Sequence, residues 1–198
     1  VRSLAFSPDG RQLASAGDDR LVRLWDVNSG DLLFELSGHE NKIRQVVFSP
    51  VSSTLFSGDN DGVVCEWDVA TGKQVRALSG YKKVSAIAPA PHEKSLAIAI
   101  EGGTIHRRRS DTWELEFEFV GHTDEVLCLA YSPDGKTIAS GGRDRSVRLW
   151  HAATGQELIS FTNLPAQING IAFSADGTML AATCHDGSVH FWPAVTRN

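Results

Sequence analysis

The segment "YSPDGKTIASGGRDRSVRLWHAATG", residues 131–155, contains the pattern that decides the fold. A closely similar segment, "FSPDGRQLASAGDDRLVRLWDVNSG", occupies residues 6–30, and shorter copies of its start occur as "FSP" at 48–50 and "FSADG" at 173–177. Self-similarity at a fixed period of about 20 to 50 residues is typical of solenoids, propellers and arrays. The sequence therefore indicates a tandem repeat.

Tryptophans set the length of the repeat. Trp25, Trp67, Trp150 and Trp192 are separated by 42, 83 and 42 residues, and 83 divides into 41 and 42. This spacing places one further repeat tryptophan at position 108, which Arg108 occupies. We therefore predict five repeats, the third of them degenerate. The predicted repeats cover approximately residues 1–37, 38–79, 80–120, 121–162 and 163–198.

Each repeat contains short apolar segments separated by turn residues. Segments such as "VVFS" at 46–49 and "QVRAL" at 74–78 have the length of strands, and none shows a convincing helical period. In "SPDG", Pro8 fixes the backbone angle that the second position of a type I turn requires, and Gly10 supplies the left-handed residue that closes a hairpin. We predict an all-β chain in which each repeat forms four antiparallel strands, named a to d in chain order.

The pairs "GH" at 38–39 and 121–122, together with "LWD" at 24–26 and "EWD" at 66–68, resemble the signatures of WD repeats. The resemblance covers essentially the whole chain. It implies a β-propeller, in which four-stranded blades are arranged radially and each blade packs against its neighbours. The near-regular copies are also similar to bacterial WD-repeat arrays, some of which are fused to serine/threonine kinases.

Propellers of this family most often have seven blades, which implies that the five repeats are part of a larger ring. Seven repeats of about 40 to 45 residues require about 290 residues, whereas the chain has 198. Three arrangements remain open: further sequence completes the ring, copies of the chain associate, or five blades close on themselves. We expect further sequence, and the start of the chain at Val1 rather than Met indicates a piece of a longer protein.

In WD repeats a His, a Ser or Thr, an Asp and the Trp form a hydrogen-bonded set that ties the loop before a blade to its strands. The resemblance implies complete sets in the second and fourth repeats and incomplete sets in the first and fifth. The fifth repeat has Leu164 and Ala182 in place of His and Ser, so we expect its loop to be looser. The implied residues are His39, Ser57, Asp61 and Trp67; His122, Ser140, Asp144 and Trp150; Ser15, Asp19 and Trp25; and Asp186 and Trp192.

Ser, His and Asp together also suggest a nucleophilic triad. The set recurs once per repeat, however, and a catalytic site does not normally recur in this way. We therefore predict a structural role for these residues and no enzymatic activity. His185 and His190 flank Asp186, but the structural set already uses that aspartate, and the other histidines do not cluster. We predict neither a metal nor a cofactor.

Ligand contacts on a propeller are expected from the loops at one end, where the connections from d to a and from b to c converge. The mixed charges of these loops suit a polypeptide partner better than a polyanion. We therefore predict a scaffold that binds a protein or peptide. The alternative is a sensory or substrate-docking propeller appended to a larger bacterial regulatory enzyme such as a serine/threonine kinase. The candidate contact residues are Asp18, Asn41, Lys42, Asn60, Tyr81, Lys82, Lys83, Glu101, Asp124, Glu125, Arg143 and His185.

Composition narrows the class of partner and the compartment. A net charge of -5 gives no global attraction to nucleic acid, and no apolar run approaches the ~18 residues of a membrane span. The three cysteines are odd in number and include no C-x-x-C pair, so the sequence indicates neither a disulfide framework nor a zinc site. We predict a cytoplasmic protein that binds neither nucleic acid nor membrane.

The degenerate third repeat contains the basic run "IHRRRSDTW" at 105–113. The interpretations are a phosphate-binding patch, a partner contact on the outer rim of the third repeat, and an ion-pair ladder with Glu114 and Glu116 on strand d. We favour the ladder, because acidic residues on the same hairpin balance the arginines. Tyr81 replaces the His of this repeat, so we expect that Arg108 has no tryptophan-like role and that the arginine heads reach solvent or local partners.

Overall fold

The computed structural model of the chain describes residues 1–193, and these residues form five antiparallel sheets with no helix. Four sheets have four strands, and the fifth has three described strands. Each sheet is an up-and-down meander, because its strands are hydrogen-bonded in chain order. Residues 194–198, the end of the predicted fifth repeat, lie outside the described residues.

The strands have the following bounds. The first sheet contains β1 (Ser3–Phe6), β2 (Gln12–Ala16), β3 (Leu21–Asp26) and β4 (Leu32–Ser37). The second contains β5 (Ile43–Phe48), β6 (Thr54–Asp59), β7 (Val64–Asp68) and β8 (Gln74–Leu78). The third contains β9 (Val84–Pro89), β10 (Ser95–Ile100), β11 (Ile105–Arg109) and β12 (Leu115–Phe119). The fourth contains β13 (Val126–Tyr131), β14 (Thr137–Gly142), β15 (Val147–His151) and β16 (Glu157–Phe161). The fifth contains β17 (Ile168–Phe173), β18 (Met179–Cys184) and β19 (Val189–Pro193).

The turn between strands a and b shows why the sequence forms a meander. In the fourth sheet the Ser132 hydroxyl donates to Asp134 at 2.6 Å and accepts the amide of Thr137 at 2.9 Å. Gly135 closes this turn with a φ of 73°, a left-handed value that favours glycine. The turn therefore reverses the chain within four residues, as the motif "SPDG" predicts.

The sheets are arranged side by side along their first strands. Strand β1 packs against β5, β5 against β9, β9 against β13, and β13 against β17. Strand a is thus innermost in each sheet and strand d is outermost. This arrangement confirms the predicted all-β propeller of four-stranded antiparallel blades, and each sheet is called a blade below.

Tryptophans on strand c pack against the preceding blade. Trp67 is buried with Leu24 and Leu36 of the first blade, and Trp150 meets Phe119 of the third blade edge to face, with ring centroids 5.7 Å apart. Burial of such side chains from water is the main favourable contribution to packing. Each of these tryptophans therefore binds its own blade to the preceding one.

The first and fifth blades each have one face against which no described blade packs. Phe6 is 63% exposed, whereas Phe48, at the same position of the second blade, is 9% exposed. Phe191 is 64% exposed, whereas Leu24, at the same position of the first blade, is fully buried. Each open face therefore has the same kind of apolar residue that is buried between neighbouring blades elsewhere in the molecule.

Candidate functional site

The fourth blade brings its predicted set of four residues together. Trp150 Nε1 donates to Ser140 Oγ at 2.8 Å, Ser140 Oγ lies 2.7 Å from His122 Nε2, and His122 Nδ1 lies 2.9 Å from Asp144 Oδ2. An indole N–H can only donate, so Ser140 donates onward to Nε2, and the Nδ1–H of a neutral His122 donates to the carboxylate. His122 lies in the loop before β13, and the chain of hydrogen bonds ties this loop to strands b and c.

Protonation states in this set follow from burial. Burial lowers the pKa of His122, and the neighbouring Asp144 carboxylate offsets only part of that shift. Burial opposes the ionisation of Asp144, but hydrogen bonds from Ser146 and the adjacent His122 hold the pKa of the carboxyl below its usual value. A neutral imidazole beside an ionised carboxylate is therefore the state that the geometry favours.

The second blade has the same arrangement with a different aspartate. His39 Nε2 lies 2.7 Å from Ser57 Oγ, Trp67 Nε1 donates to Ser57 at 2.7 Å, and His39 Nδ1 lies 2.7 Å from Asp59 Oδ2. The prediction of Asp61 for this position was wrong. Asp61 is exposed and accepts a hydrogen bond from Asn41 instead.

The reason is the space beside the histidine. Asp59 and Gly142 each precede their blade's tryptophan by eight residues, and a Cβ placed on Gly142 would lie 3.2 Å from both Asp144 Oδ1 and His122 Nδ1. The side chain of Asp59 therefore reaches the histidine from the end of strand b and fills the volume that Asp144 fills in the fourth blade. The spacing rule could not distinguish two aspartates that lie two residues apart.

The first and fifth blades do not assemble sets around an aspartate. Trp25 donates to Ser15 at 2.9 Å, but Asp19 pairs with Arg23. Asp186 accepts hydrogen bonds from the backbone and hydroxyl of Ser188, as an ordinary turn residue does, and Trp192 stacks on Phe161 with ring centroids 4.7 Å apart. A histidine bridges serine to aspartate in the other sets. In the fifth blade Leu164 takes the place of this histidine, so the expected role of Asp186 in such a set is wrong. The role of Asp19 in the first blade stays a prediction.

The third blade replaces the set with an arginine and a tyrosine. Arg108 takes the tryptophan position, because it pairs with Leu96 as Trp67 pairs with Leu55. Its Nε donates to the Tyr81 hydroxyl at 2.6 Å, and Nη1 donates to the carbonyl of Trp113 at 2.5 Å. The expectation that Arg108 has no tryptophan-like role was wrong: it ties the loop before strand a to strand c by charge-assisted hydrogen bonds.

The two neighbouring arginines pair within the blade, but not as a simple ladder. Arg107 is only 4% exposed and lies 2.6 Å from Glu93 and 3.5 Å from Glu116. Arg109 pairs with Asp111 at 2.7 Å rather than with the expected Glu114. In place of the expected ladder, the buried Arg107 guanidinium pairs with two more exposed glutamates, and Arg109 forms a separate pair at the turn because the turn carboxylate is nearer to it.

A cavity lies where the five innermost strands converge. Among the residues that line it is one equivalent position from each blade. These positions follow each other at intervals of 42, 41, 42 and 42 residues. The cavity has a volume of about 510 Å³, and a second pocket of about 280 Å³ continues it along the same five residues. The five residues, called the pocket ring below, are Arg2, Arg44, Ser85, Leu127 and Asn169.

The pocket ring is polarised. Arg2 pairs with Asp18, whereas Arg44 Nε donates to the neutral amide oxygen of Asn60 at 2.7 Å. On the far wall, Glu125 lies between Lys83 and Arg143, and Arg143 Nε is 3.2 Å from its carboxylate. The cavity therefore presents arginines on the first two blades and neutral or paired groups on the others.

The predicted contact residues divide into three groups. Glu125 and Arg143 line the cavity, and four others contact a lining residue: Asp18, Asn60, Lys83 and His185. A further five lie in the same loops outside the cavity: Asn41, Lys42, Lys82, Glu101 and Asp124. Tyr81 is used by Arg108 and is not free for a partner. The structure thus brings half of the predicted contact residues to one cavity.

The pocket ring is not among the contact residues predicted from the sequence. The signal was available, because the 42-residue register places Arg2, Arg44 and their counterparts at one equivalent position at the start of strand a. The predicted contact residues were taken from loops only, so they do not include the first residues of the innermost strands. Arg44, Ser85 and Leu127 are partly buried, and Arg2 and Asn169 are exposed.

Residues 1–193 contain neither a cluster of metal ligands nor a membrane-spanning helix. Within residues 1–193, no group of three or more His, Cys, Asp or Glu side chains is arranged to hold a metal ion. His190 stacks on Trp192, and His185 contacts Asn169, so the two histidines serve different neighbours. The described part of the chain also has no helix that is long and apolar enough to cross a membrane.

Comparison with known proteins identifies the repeat. The sequence model of the family described as WD domain, G-beta repeat matches residues 1–26, 30–68, 113–151 and 156–193. The matched segments leave out residues 69–112, which include strands a to c of the degenerate third blade. The degeneracy predicted from Arg108 is thus reflected in the family match.

Several curated proteins share this repeat. The chain is 48% identical over 61 residues to the WD repeat-containing protein sll1491 of Synechocystis, covering 30% of the chain and 17% of that protein. It is 37% identical over 152 residues to the small ribosomal subunit protein RACK1 of Candida albicans, covering 76% of the chain and 48% of that protein. It is 46% identical over 43 residues to the general transcriptional corepressor TUP1 of Saccharomyces cerevisiae, covering 22% and 6%.

The chain spans less than half the length of each of these relatives. The family match, in contrast, covers most of the chain and four of its five blades. It agrees with the described blades and with the tryptophan-centred hydrogen bonds. The chain belongs to the WD-repeat family.

Proposed function

We propose that this chain is a non-catalytic interaction scaffold that binds a protein or peptide at the end of the propeller where the pocket ring opens. The observation that supports this most directly is the cavity itself: five blades each contribute one side chain to it, and six predicted loop residues line it or contact its lining. Loops and strand ends on a rigid sheet scaffold are common positions for binding residues. The WD-repeat relatives include a transcriptional corepressor and a ribosomal subunit protein.

The absence of a catalytic role is part of the proposal and has a physical basis. Ser140 and Ser57 are fully buried, and each hydroxyl already accepts from a tryptophan and contacts a histidine. A nucleophile needs an accessible hydroxyl and a nearby site for the substrate. The two Ser–His–Asp sets therefore support a structural interpretation.

The compartment and the wider assembly are proposals of the same kind. The three cysteines are free, with two of them buried, which suits a reducing cytoplasm. The open faces of the first and fifth blades suit a larger ring, and a seven-bladed propeller is the arrangement we propose. Attachment to a larger bacterial regulatory enzyme, such as a serine/threonine kinase, is the alternative.

The experiment is a selection of binding peptides from a random display library on the immobilised chain. Substitution Asn169→Trp fills the cavity from an exposed position, and Asn28→Trp makes the same change in the exposed turn between β3 and β4. We expect the selected peptides to lose binding to Asn169→Trp and to retain it with Asn28→Trp. Peptides that bind both variants equally would place the interaction surface elsewhere.

A further inference from the structure

The partner class of the cavity can be stated more narrowly, on the basis of the proposed function. We propose that the cavity binds a carboxylate side chain of an extended acidic peptide, with Arg44 as the principal contact. Three features of the cavity support this: the carboxylate pairing of the cations in and around it, its size, and the neutral groups across it.

Most cations at this end of the propeller are paired. Arg2 donates through Nη2 to Asp18 at 3.1 Å, and both Lys83 and Arg143 contact Glu125. Pairing with a carboxylate within a few ångströms cancels most of the field of each of these groups. They therefore contribute little net attraction for an incoming anion.

Arg44 differs from these cations. Its only hydrogen bond among the described residues runs from Nε to the neutral side chain of Asn60, and no described carboxylate lies within 4.0 Å of its nitrogens. The side chain is partly buried in the wall of the cavity, where charges are screened less than on an open surface. A partly desolvated guanidinium with free terminal N–H groups is suited to bidentate binding of a carboxylate.

The dimensions favour an extended segment. A volume of about 510 Å³ lies within the range of sites for small ligands, about 300 to 1,000 Å³. It accommodates a few side chains rather than a folded domain. Across the cavity, Gln167 and Asn169 offer amide groups that can donate to peptide carbonyls or accept from peptide N–H groups.

The charge distribution favours a peptide over a nucleic acid. Glu125 lines the same cavity and Asp18 lies at its edge beside Arg2, and the whole chain has a net charge of -5. A continuous phosphate backbone would meet these carboxylates, whereas one carboxylate that reaches Arg44 would avoid them. Nucleic-acid binders usually present a basic face or stripe, which is not found among these residues.

The test measures fluorescence anisotropy with a labelled ten-residue peptide of alternating Glu and Ser, and with its counterpart in which Gln replaces Glu. We expect the Glu peptide to bind, and the Gln peptide to bind at least about tenfold more weakly, because a charge-assisted hydrogen bond is lost. Arg44→Gln should weaken the Glu peptide by a similar factor. The matched control is Arg11→Gln, which removes an exposed arginine at the opposite end of strand a.

Stability is controlled in the same experiment. If Arg44→Gln lowers the melting temperature, Arg44→Lys retains the charge and should retain most of the binding. In the unmodified chain, binding of the Glu peptide should also weaken as NaCl is raised, because exposed ionic contacts are screened.

Three results would overturn the proposal. Equal binding of the Glu and Gln peptides is the first, and tighter binding of a ten-nucleotide single strand that displaces the Glu peptide is the second. The third is a set of library-selected peptides that lack acidic residues, lose binding to Asn169→Trp and bind Arg44→Gln normally. That third result would leave the proposed function intact. If no selected peptide lost binding to Asn169→Trp, the proposed function would be contradicted as well.

Discussion

The third and fourth blades solve the same structural problem with different chemistry. In the fourth blade, a buried chain of hydrogen bonds runs from Trp150 through Ser140 and His122 to Asp144. In the third blade, Arg108 at the tryptophan position reaches Tyr81 of the preceding loop directly. Both arrangements attach the loop before strand a to strand c of the same blade.

The comparison shows that the hydrogen-bonded connection between loop and strand is kept in both blades, whereas the residues that form it differ. The network of the fourth blade needs all four members, because each buried polar group requires its partner. The arginine spans the same distance alone, and its charge is met by the Tyr81 hydroxyl, the Trp113 carbonyl and the face of the Tyr81 ring, whose centroid lies 5.7 Å from Cζ. The third blade therefore lost the family signature without losing the connection.

Arg76 adds a second connection to the third blade. This residue of the second blade donates from Nη2 to the carbonyl of Ser110 at 2.7 Å, and its guanidinium lies 5.7 Å from the ring centroid of Trp113. Trp113 also meets Phe56 of the second blade edge to face, at 6.0 Å. The outer hairpin of the third blade is thus held by its neighbour as well as by its own charges.

The largest expected effect tests the fourth blade at its tryptophan. Trp150→Ala should lower the free energy of unfolding by about 3 to 5 kcal/mol, since a fully buried aromatic is replaced by a cavity. Trp25→Ala is the matched control, because Trp25 is partly exposed on the open face of the first blade. Denaturant unfolding measures both variants, and equal losses would mean that burial between blades is not the source of stability.

The next prediction concerns the aspartates of the histidine sets. Asp144→Ala should cost about 1 to 3 kcal/mol, because the buried Nδ1–H of His122 loses its carboxylate acceptor and keeps only the more distant Ser146 hydroxyl, at 3.2 Å. Asp59→Ala should behave in the same way in the second blade, whereas Asp61→Ala should change stability by less than about 0.5 kcal/mol, as exposed sites do. A loss at Asp61 that matches the loss at Asp59 would contradict the assignment made from the geometry.

A smaller effect tests the substitute tie in the third blade. Tyr81→Phe should cost about 1 kcal/mol, because Arg108 loses the acceptor of its Nε–H. The double variant Tyr81→Phe with Arg108→Met should recover part of this loss, since replacing both partners removes the unpaired group. Arg109→Met, at an exposed pair, serves as the control in thermal melts. A double variant that is less stable than Tyr81→Phe would show that Arg108 contributes through other contacts.

The smallest effect is the dependence of the fourth blade on pH. The pKa of His122 is lowered in the folded state, so the unfolded chain binds more protons below about pH 6.5, and stability falls as the pH is lowered through this range. The fall in unfolding free energy between pH 7.5 and 5.5 should therefore be smaller in His122→Gln than in the unmodified chain. Parallel curves for the two proteins would rule out this role of His122.

The fold could be predicted because its determinants are periodic. The register of Trp67 and Trp150 placed strands b and c correctly, and the turn at Gly135 has the predicted geometry. The aspartate of the second blade could not be placed, because the choice between Asp59 and Asp61 depends on whether the position at the end of strand b has a side chain. The partners of Arg108 could not be predicted either, since they come from the preceding loop and from the left-handed backbone at Trp113.

The pocket ring has a consequence for how such a protein can diversify. Each blade supplies one pocket-ring residue at the same register position. Duplication, loss or exchange of a whole repeat would therefore insert, delete or replace one side chain of the pocket ring, and the meander of every other blade would stay intact. The recognition chemistry of the cavity is therefore modular, and gene segments that encode single repeats could be shuffled to compose new specificities.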